Sequence, residues 1–216
     1  MKNKKNIIIA SVSVSLSIIY TLLVKFVDVK NIGPENSSVG FAKLNAFFHK
    51  LIGSNMAIYK ITEIFGYLLF ILVLIYGCIG LYQLIKRKSL LKVDKEIIMQ
   101  GVFYVVMLAV YVLFEKLKIN YRPILIEGIL EVSYPSSHTI LSLCLCGSSL
   151  ITSKKYFNKK YIKLINIITI VVTAIVLLGR IISGVHWISD IIGGVLISCA
   201  LVSCYYLAFN WKQNVN

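Results

Sequence analysis

Charge is what this chain has least of. Only 15% of its 216 residues are charged, and just nine are acidic. An ordinary soluble domain carries about 25% charged residues. A soluble globular fold is therefore excluded, and a hydrophobic content of 58% excludes a disordered chain. Sustained period-two alternation is also missing, which excludes a membrane β-barrel. No linker or repeat divides the sequence. The five cysteines (Cys78, Cys144, Cys146, Cys199 and Cys204) all fall inside apolar stretches. They read as small packing residues, not as disulfide partners or metal ligands.

What is present is long apolar sequence. Six stretches run from Ile7 to Val27, Thr62 to Ile85, Ile97 to Phe114, Ser136 to Thr152, Ile162 to Ile182 and Trp187 to Phe209. A helix crossing the hydrocarbon needs roughly 17–25 residues, so the fourth is marginal and its ends should lie near the membrane surface. The first follows Met1-Lys-Asn-Lys-Lys without an A-x-A-like cleavage site, and reads as a retained helix. The predicted fold is an all-α integral membrane protein of six transmembrane helices in a single domain, residues 1–216. Residues 1–61 hold the first span and an outer segment. Residues 62–216 hold the other five spans.

The net charge of +14 follows from the same layout. Lys2, Lys4 and Lys5 precede the first span, and Lys86, Arg87, Lys88, Lys92 and Lys95 join the second to the third. Lys154, Lys155, Lys159, Lys160 and Lys163 join the fourth to the fifth, and Lys212 follows the sixth. Only Asp94 and Glu96 oppose these cations. The positive-inside rule then predicts both termini in the cytoplasm of a plasma (inner) membrane, and the Lys-, Ile- and Asn-rich usage suits a bacterial one. No basic soluble domain remains, which excludes a nucleic-acid partner. On the outer side, Phe41, Leu44, Phe47, Phe48 and Leu51 recur at helical spacing. They predict an amphipathic helix in the outer interface between spans one and two, either a packing helix or a wall beside a lipid-entry site. His49 on that segment reads as an interfacial polar residue.

Three clusters of polar residues share the outer face in this topology: Tyr121-Arg122-Pro123, Tyr134-Pro135-Ser136-Ser137-His138, and the run from Gly179-Arg180 through His186 to Asp190. Ionisable groups at span ends are costly and mark sites. His186 and Asp190 are four apart. With Gly184 starting the sixth helix they share a face, and Asp190 would accept the Nδ1 hydrogen and leave Nε2 nucleophilic. Pro135-Ser136-Ser137 reads as a helix start whose amides accept an anion. His138 would donate a proton to a leaving oxygen. Arg122 and Arg180 are fork-shaped phosphate donors. The blander alternatives are a structural His–Asp pair, ordinary serine capping and snorkelling arginines. A zinc site on His138, His186 and Asp190 is the other option. Two arginines converging there favour an anion over a metal.

Together the clusters resemble the type 2 phosphatidic acid phosphatase family, which also holds vanadium haloperoxidases and glucose-6-phosphatase. The family pattern is K-x6-R-P, then P-S-G-H, then S-R-x5-H-x3-D. The matching stretch runs from Glu115 to Asp190. Three positions depart: Glu115 stands at the family lysine, Ser137 at the glycine and Gly179 at the serine. Lys118, four before Arg122 on the same helix face, would supply the missing charge. The resemblance implies a cofactor-free lipid phosphatase at the outer face, acting on a polyprenyl diphosphate, phosphatidate or phosphatidylglycerol phosphate. His186 would be the nucleophile, Asp190 its partner and His138 the acid. Arg122, Arg180, Ser136, Ser137 and Lys118 would hold the phosphate. The competing expectation is a non-catalytic protein that binds or translocates phospholipid, with Glu115 as its main support.

Overall fold

The computed structural model describes residues 2–210, and Lys212 lies outside them. Among the described residues, eight α-helices account for the fold: α1 (Lys2–Phe26), α2 (Ala42–Ile52), α3 (Met56–Leu68), α4 (Phe70–Arg87), α5 (Lys95–Leu117), α6 (Ser137–Tyr156), α7 (Lys159–Ile182) and α8 (Ile188–Asn210). Five segments are long and apolar enough to cross a bilayer: Lys4–Phe26, Met56–Arg87, Lys95–Leu117, Lys159–Ile182 and Ile188–Asn210. Their outward faces are greasy. On α1, Ile8, Ile9, Val12, Leu16 and Ile19 are each at least half exposed. A face of that kind is stable against lipid and not against water.

The remaining long helix, α6, is the one the sequence marked as marginal. It is 20 residues long and it is polar for a reason. It packs against both α7 and α8, and Thr139, Ser142, Ser148, Ser149, Thr152 and Ser153 all point into protein. Gln100 of α5 donates to Ser148 at 2.8 Å and accepts from Thr152 at 2.7 Å, and Tyr205 of α8 donates to the same Gln100 oxygen at 2.7 Å. Hydroxyls can serve as interhelical contacts in lipid only when they are paired inside the bundle.

The second apolar segment differs most from its sequence reading. It starts at Met56, six residues before Thr62, and it is two helices meeting at Leu69. Asn55 caps it, its side chain accepting from the amides of Ala57 and Ile58. At about 1.5 Å per residue its 32 residues are longer than a hydrocarbon core of about 30 Å. The extra outer turns carry Tyr59 and Thr62 to the level of the polar clusters.

The outer segment does contain a helix, α2, packed against α8. Leu44, Phe47 and Leu51 are exposed along one side, while Asn45 is fully buried on the other. His49 stacks edge-on against Trp187, ring centroids 5.4 Å apart.

Between α7 and α8 the chain turns at Gly184, where φ is +60°. A Cβ there would stand 1.7 Å from the carbonyl oxygen of Gly53. The turn therefore requires glycine twice over, for its left-handed backbone and for that approach. Gly184→Ala is expected to cost at least about 1–2 kcal/mol from backbone strain alone, with the overlap in addition. The measurement is thermal unfolding in detergent, and the midpoint should fall.

Candidate active site

Helix α8 begins at Ile188, not at Gly184, and this changes what Asp190 does. His186 lies in the turn before the helix and Asp190 in its first turn. The pair is therefore not two faces of one helix. His186 Nδ1 and Asp190 Oδ2 are 3.8 Å apart, beyond hydrogen-bond reach. The Asp190 carboxylate instead accepts from the Trp187 amide at 3.1 Å, the reach-back of a capping box, and from Asn120 Nδ2 at 3.0 Å. Asp190 is fully buried and acts as an anchor for the start of α8 beside the histidine.

A belt of uncharged groups supports that anchor. Asn120 accepts from the Gly40 amide at 2.9 Å. Asn45 donates to Ser189 Oγ at 2.8 Å and accepts from the Ser189 amide at 3.2 Å. Tyr20 of α1 donates to the Ser189 carbonyl at 3.3 Å. The Ser136 amide donates to the Asp190 carbonyl at 3.1 Å, tying the start of α6 to α8.

Arg122 does not sit at a helix end. Helix α5 stops at Leu117, and Arg122 lies in an extended excursion whose limbs bridge at Tyr121 and Val132. Arg122 is 6% exposed. Its Nε is 2.8 Å from Glu131 Oε2, and its Nη1 is 3.3 Å from His186 Nε2 and 3.4 Å from the Val185 carbonyl. A guanidinium has donors only. The His186 nitrogen facing it must be the lone-pair nitrogen, which places the ring proton on Nδ1. Burial first, then the cations Arg122 and Arg180, holds His186 well below the usual imidazole range.

Arg180, in the last turn of α7, is 0% exposed. None of its three guanidinium nitrogens makes a hydrogen bond to a described residue. Its guanidinium lies over the Tyr59 ring, 4.6 Å from the centroid, and Arg122 lies 5.7 Å from the same ring. His138, in the first turn of α6, is within electrostatic reach of Arg180, His186 and Arg122. Ser136 precedes α6 without a side-chain cap bond of its own, its hydroxyl instead accepting from Thr139. Ser137 beside it is half-buried.

The structure thus groups His186, His138, Arg122, Arg180, Ser136 and Ser137 on one end of the bundle, with Asp190 beneath them. Lys118 is not among them. It is the exposed left-handed residue that ends α5, so the shared helix face with Arg122 does not exist. Glu115 is also exposed. Gly179, at the family serine, faces Thr62, whose methyl would stand 2.0 Å from a Cβ at that position. Thr62 fills the space that a serine side chain would need. Tyr59, Glu131, Asn120 and Asn45 were not picked out from the sequence. Each is brought in by a long-range contact, and none has a motif or a spacing that signals it.

This is a helical membrane protein whose one end holds two buried arginines, one of them without a hydrogen bond to a described residue, two histidines and an open helix start, an arrangement suited to an anion. The chain belongs to the PAP2 superfamily, whose family model matches residues 100–214. A solved structure, the first transmembrane PAP2 type phosphatidylglycerolphosphate phosphatase from Bacillus subtilis, has the same fold. The TM-score is 0.59 at 20% identity, over 94% of this chain and 97% of that one. No curated protein sequence matches. Family membership supports a membrane lipid phosphatase.

His186 is expected to stay neutral at pH values well below 6.5, read as its ring resonances in histidine-labelled protein by NMR. In Arg122→Gln the midpoint should rise but stop short of 6.5, because burial is the larger cause. The same shift makes stability fall as pH drops below about 6.5, where the unfolded chain takes up a proton that the folded chain refuses.

Proposed function

We propose that this chain hydrolyses the phosphate or diphosphate ester of a membrane lipid at the outer face of a bacterial plasma membrane, with both termini cytoplasmic. The single observation that carries the reading is Arg180, a fully buried cation with every donor free. A guanidinium in that state is matched by a ligand with several acceptor oxygens. In the first step His186 Nε2 attacks phosphorus. The N–P bond forms, the P–O bond to the lipid oxygen or, in a diphosphate, to the inner phosphate breaks, and His138 gives its proton to the departing oxygen. In the second, water gives a proton to His138 and its oxygen to phosphorus, and the P–N bond breaks. Arg180, Arg122 and the first-turn donors at Ser136 and Ser137 hold the equatorial oxygens, where preset charge is worth most. The arginines supply the neutralisation, so the reaction proceeds in EDTA.

Candidate substrates are polyprenyl diphosphates, phosphatidate and phosphatidylglycerol phosphate. Purified protein in detergent with EDTA is expected to release phosphate from at least one of them. His186→Ala should abolish release, and Arg180→Lys should cut kcat/KM by about 100-fold, in line with the loss of a fixed transition-state donor. Release from none of the three, by protein that is folded by thermal unfolding, refutes the reading.

The second reading, a non-catalytic phospholipid binder, is favoured by Glu115 and by the Glu131 carboxylate already on Arg122. Acid-labile radioactive phosphate trapped on the wild type and lost in His186→Ala decides for the enzyme. Tight lipid binding without such label decides for the binder.

A further inference from the structure

Two apolar cavities lie along the seam between α4 and α5. The outer one, about 370 Å³, has His138 and Ser137 at its top and Tyr67, Phe70 and Tyr111 on its walls. The inner one, about 630 Å³, lies further along the same two helices, with Gly77, Gly101 and Ile97 among its lining residues. Val73 and Tyr104 line both, so the two cavities adjoin along one seam. Few contacts close it: no described side-chain hydrogen bond joins α4 to α5 between the site and the inner loop, where Gln83 donates to Asp94. The inner half is wide because its walls lack side chains. A Cβ on Gly77 or on Gly101 would meet nothing within 4 Å.

The length of the groove identifies what fits it. From Tyr111 at the outer end to Ile97 at the inner end is 14 residues of α5, or about 21 Å. One leaflet of hydrocarbon is about 15 Å deep, half of a core of about 30 Å. A tail that begins at His138 and fills both cavities therefore crosses the bilayer midplane. The acyl chains of a phosphatidate or phosphatidylglycerol phosphate stay within their own leaflet. A single linear polyisoprenoid chain does not.

We infer that the α4–α5 groove binds the tail of a long-chain polyprenyl phosphate or diphosphate, the inner glycine-walled half taking the end that passes the midplane. The inference rests on the proposed hydrolase reading for its headgroup and selects one of that reading's three substrate classes.

Two measurements on the full-length protein test it. In the first, kcat/KM is compared for undecaprenyl and farnesyl diphosphate in the wild type, Gly77→Leu and Gly101→Leu. Both substitutions place a side chain in open space and raise helix propensity, and thermal unfolding verifies that the variants are folded. The long-to-short ratio should fall by at least about tenfold in each variant. An unchanged ratio overturns the inference. In the second, a polyprenyl phosphate with a diazirine at its chain terminus is photolysed in vesicles with the protein. Label should concentrate on Gly77–Leu84 and Ile97–Val102, and a phosphatidate with a terminal diazirine should not place it there. Terminal label spread evenly over the lipid-facing helices overturns the inference. Groove labelling by a wild type that hydrolyses no substrate leaves the groove assignment standing and removes the hydrolase reading.

Discussion

Arg180 is a permanent cation in a place where a cation is expensive. A buried ion without a partner costs several kcal/mol even after the protein relaxes. The fold returns only part of that through the Tyr59 ring, 4.6 Å away. Much of the outer architecture makes sense as the means of holding this charge in place. The second apolar segment runs six residues further out than its hydrophobic core, and those residues deliver Tyr59. Thr62, one turn on, fills the space against Gly179 and locks α3 to the last turn of α7. Arg122 is treated differently. Its counter-ion, Glu131, has a side chain 41% exposed, so water and salt screen the pair. An anion arriving there would meet one cation that makes no hydrogen bond to a described residue, with Glu63 only within electrostatic reach, and a second whose counter-ion is weakly held.

The elements that bear the groups proposed to react are not the ones that fix them. His186, Arg180, Arg122 and His138 all lie in the stretch matched by the family model, residues 100–214. Their support comes largely from before it. Tyr20 on α1, Gly40 in the following loop and Asn45 on α2 hold Ser189 and Asn120, and Asn120 holds Asp190. Asn45 and Asn120 are fully buried and uncharged, which suits a low-dielectric setting. An amide can satisfy several partners there without the desolvation cost of an ion. Asp190 is the single carboxylate in this belt, and it accepts hydrogen bonds from Asn120, the Trp187 amide and the Ser189 hydroxyl. Burial, and then the field of the arginines, holds the histidine beside it below the usual imidazole range.

The sequence showed the apolar segments, the meeting of the three polar clusters at one end of the bundle and a helix in the segment after α1. Those features depend on composition and on local periodicity, which a single chain displays directly. It misplaced what depends on where a helix starts or stops. The shared face of His186 and Asp190 assumed a helix from Gly184, and the structure begins it four residues later. The shared face of Lys118 and Arg122 assumed a helix running through both, and α5 ends at Leu117. The i,i+4 rule holds only inside a continuous helix, so a boundary shift of one turn is enough to break it. Tyr59, Glu131 and Asn45 were invisible for another reason. They reach the site through contacts between distant parts of the chain, which leave no local pattern.

Helix α6 shows why the least apolar of the long helices is the most deeply packed. Its hydroxyls would be costly against lipid, so it must be surrounded by protein, and the partners on α5 and α8 answer them. It is also tied at both ends, by the Ser136 amide to the Asp190 carbonyl at its start and by the Tyr156 hydroxyl to the Asp94 carboxylate at its end. Asp94 is a fixed point in its own right. The Arg87 guanidinium beside it, with Gln83 and Tyr156, holds its carboxyl below the usual carboxylate range. That knot fastens the inner end of the α4–α5 pair to the inner end of α6. The outer end of α6 is fastened to the site. Between the two knots α6 is held by hydrogen bonds to α4, α5, α7 and α8, while the α4–α5 seam beside it is left to apolar contact. The polarity that makes α6 rigid and the looseness that opens the seam are thus two results of one distribution of hydrogen bonds.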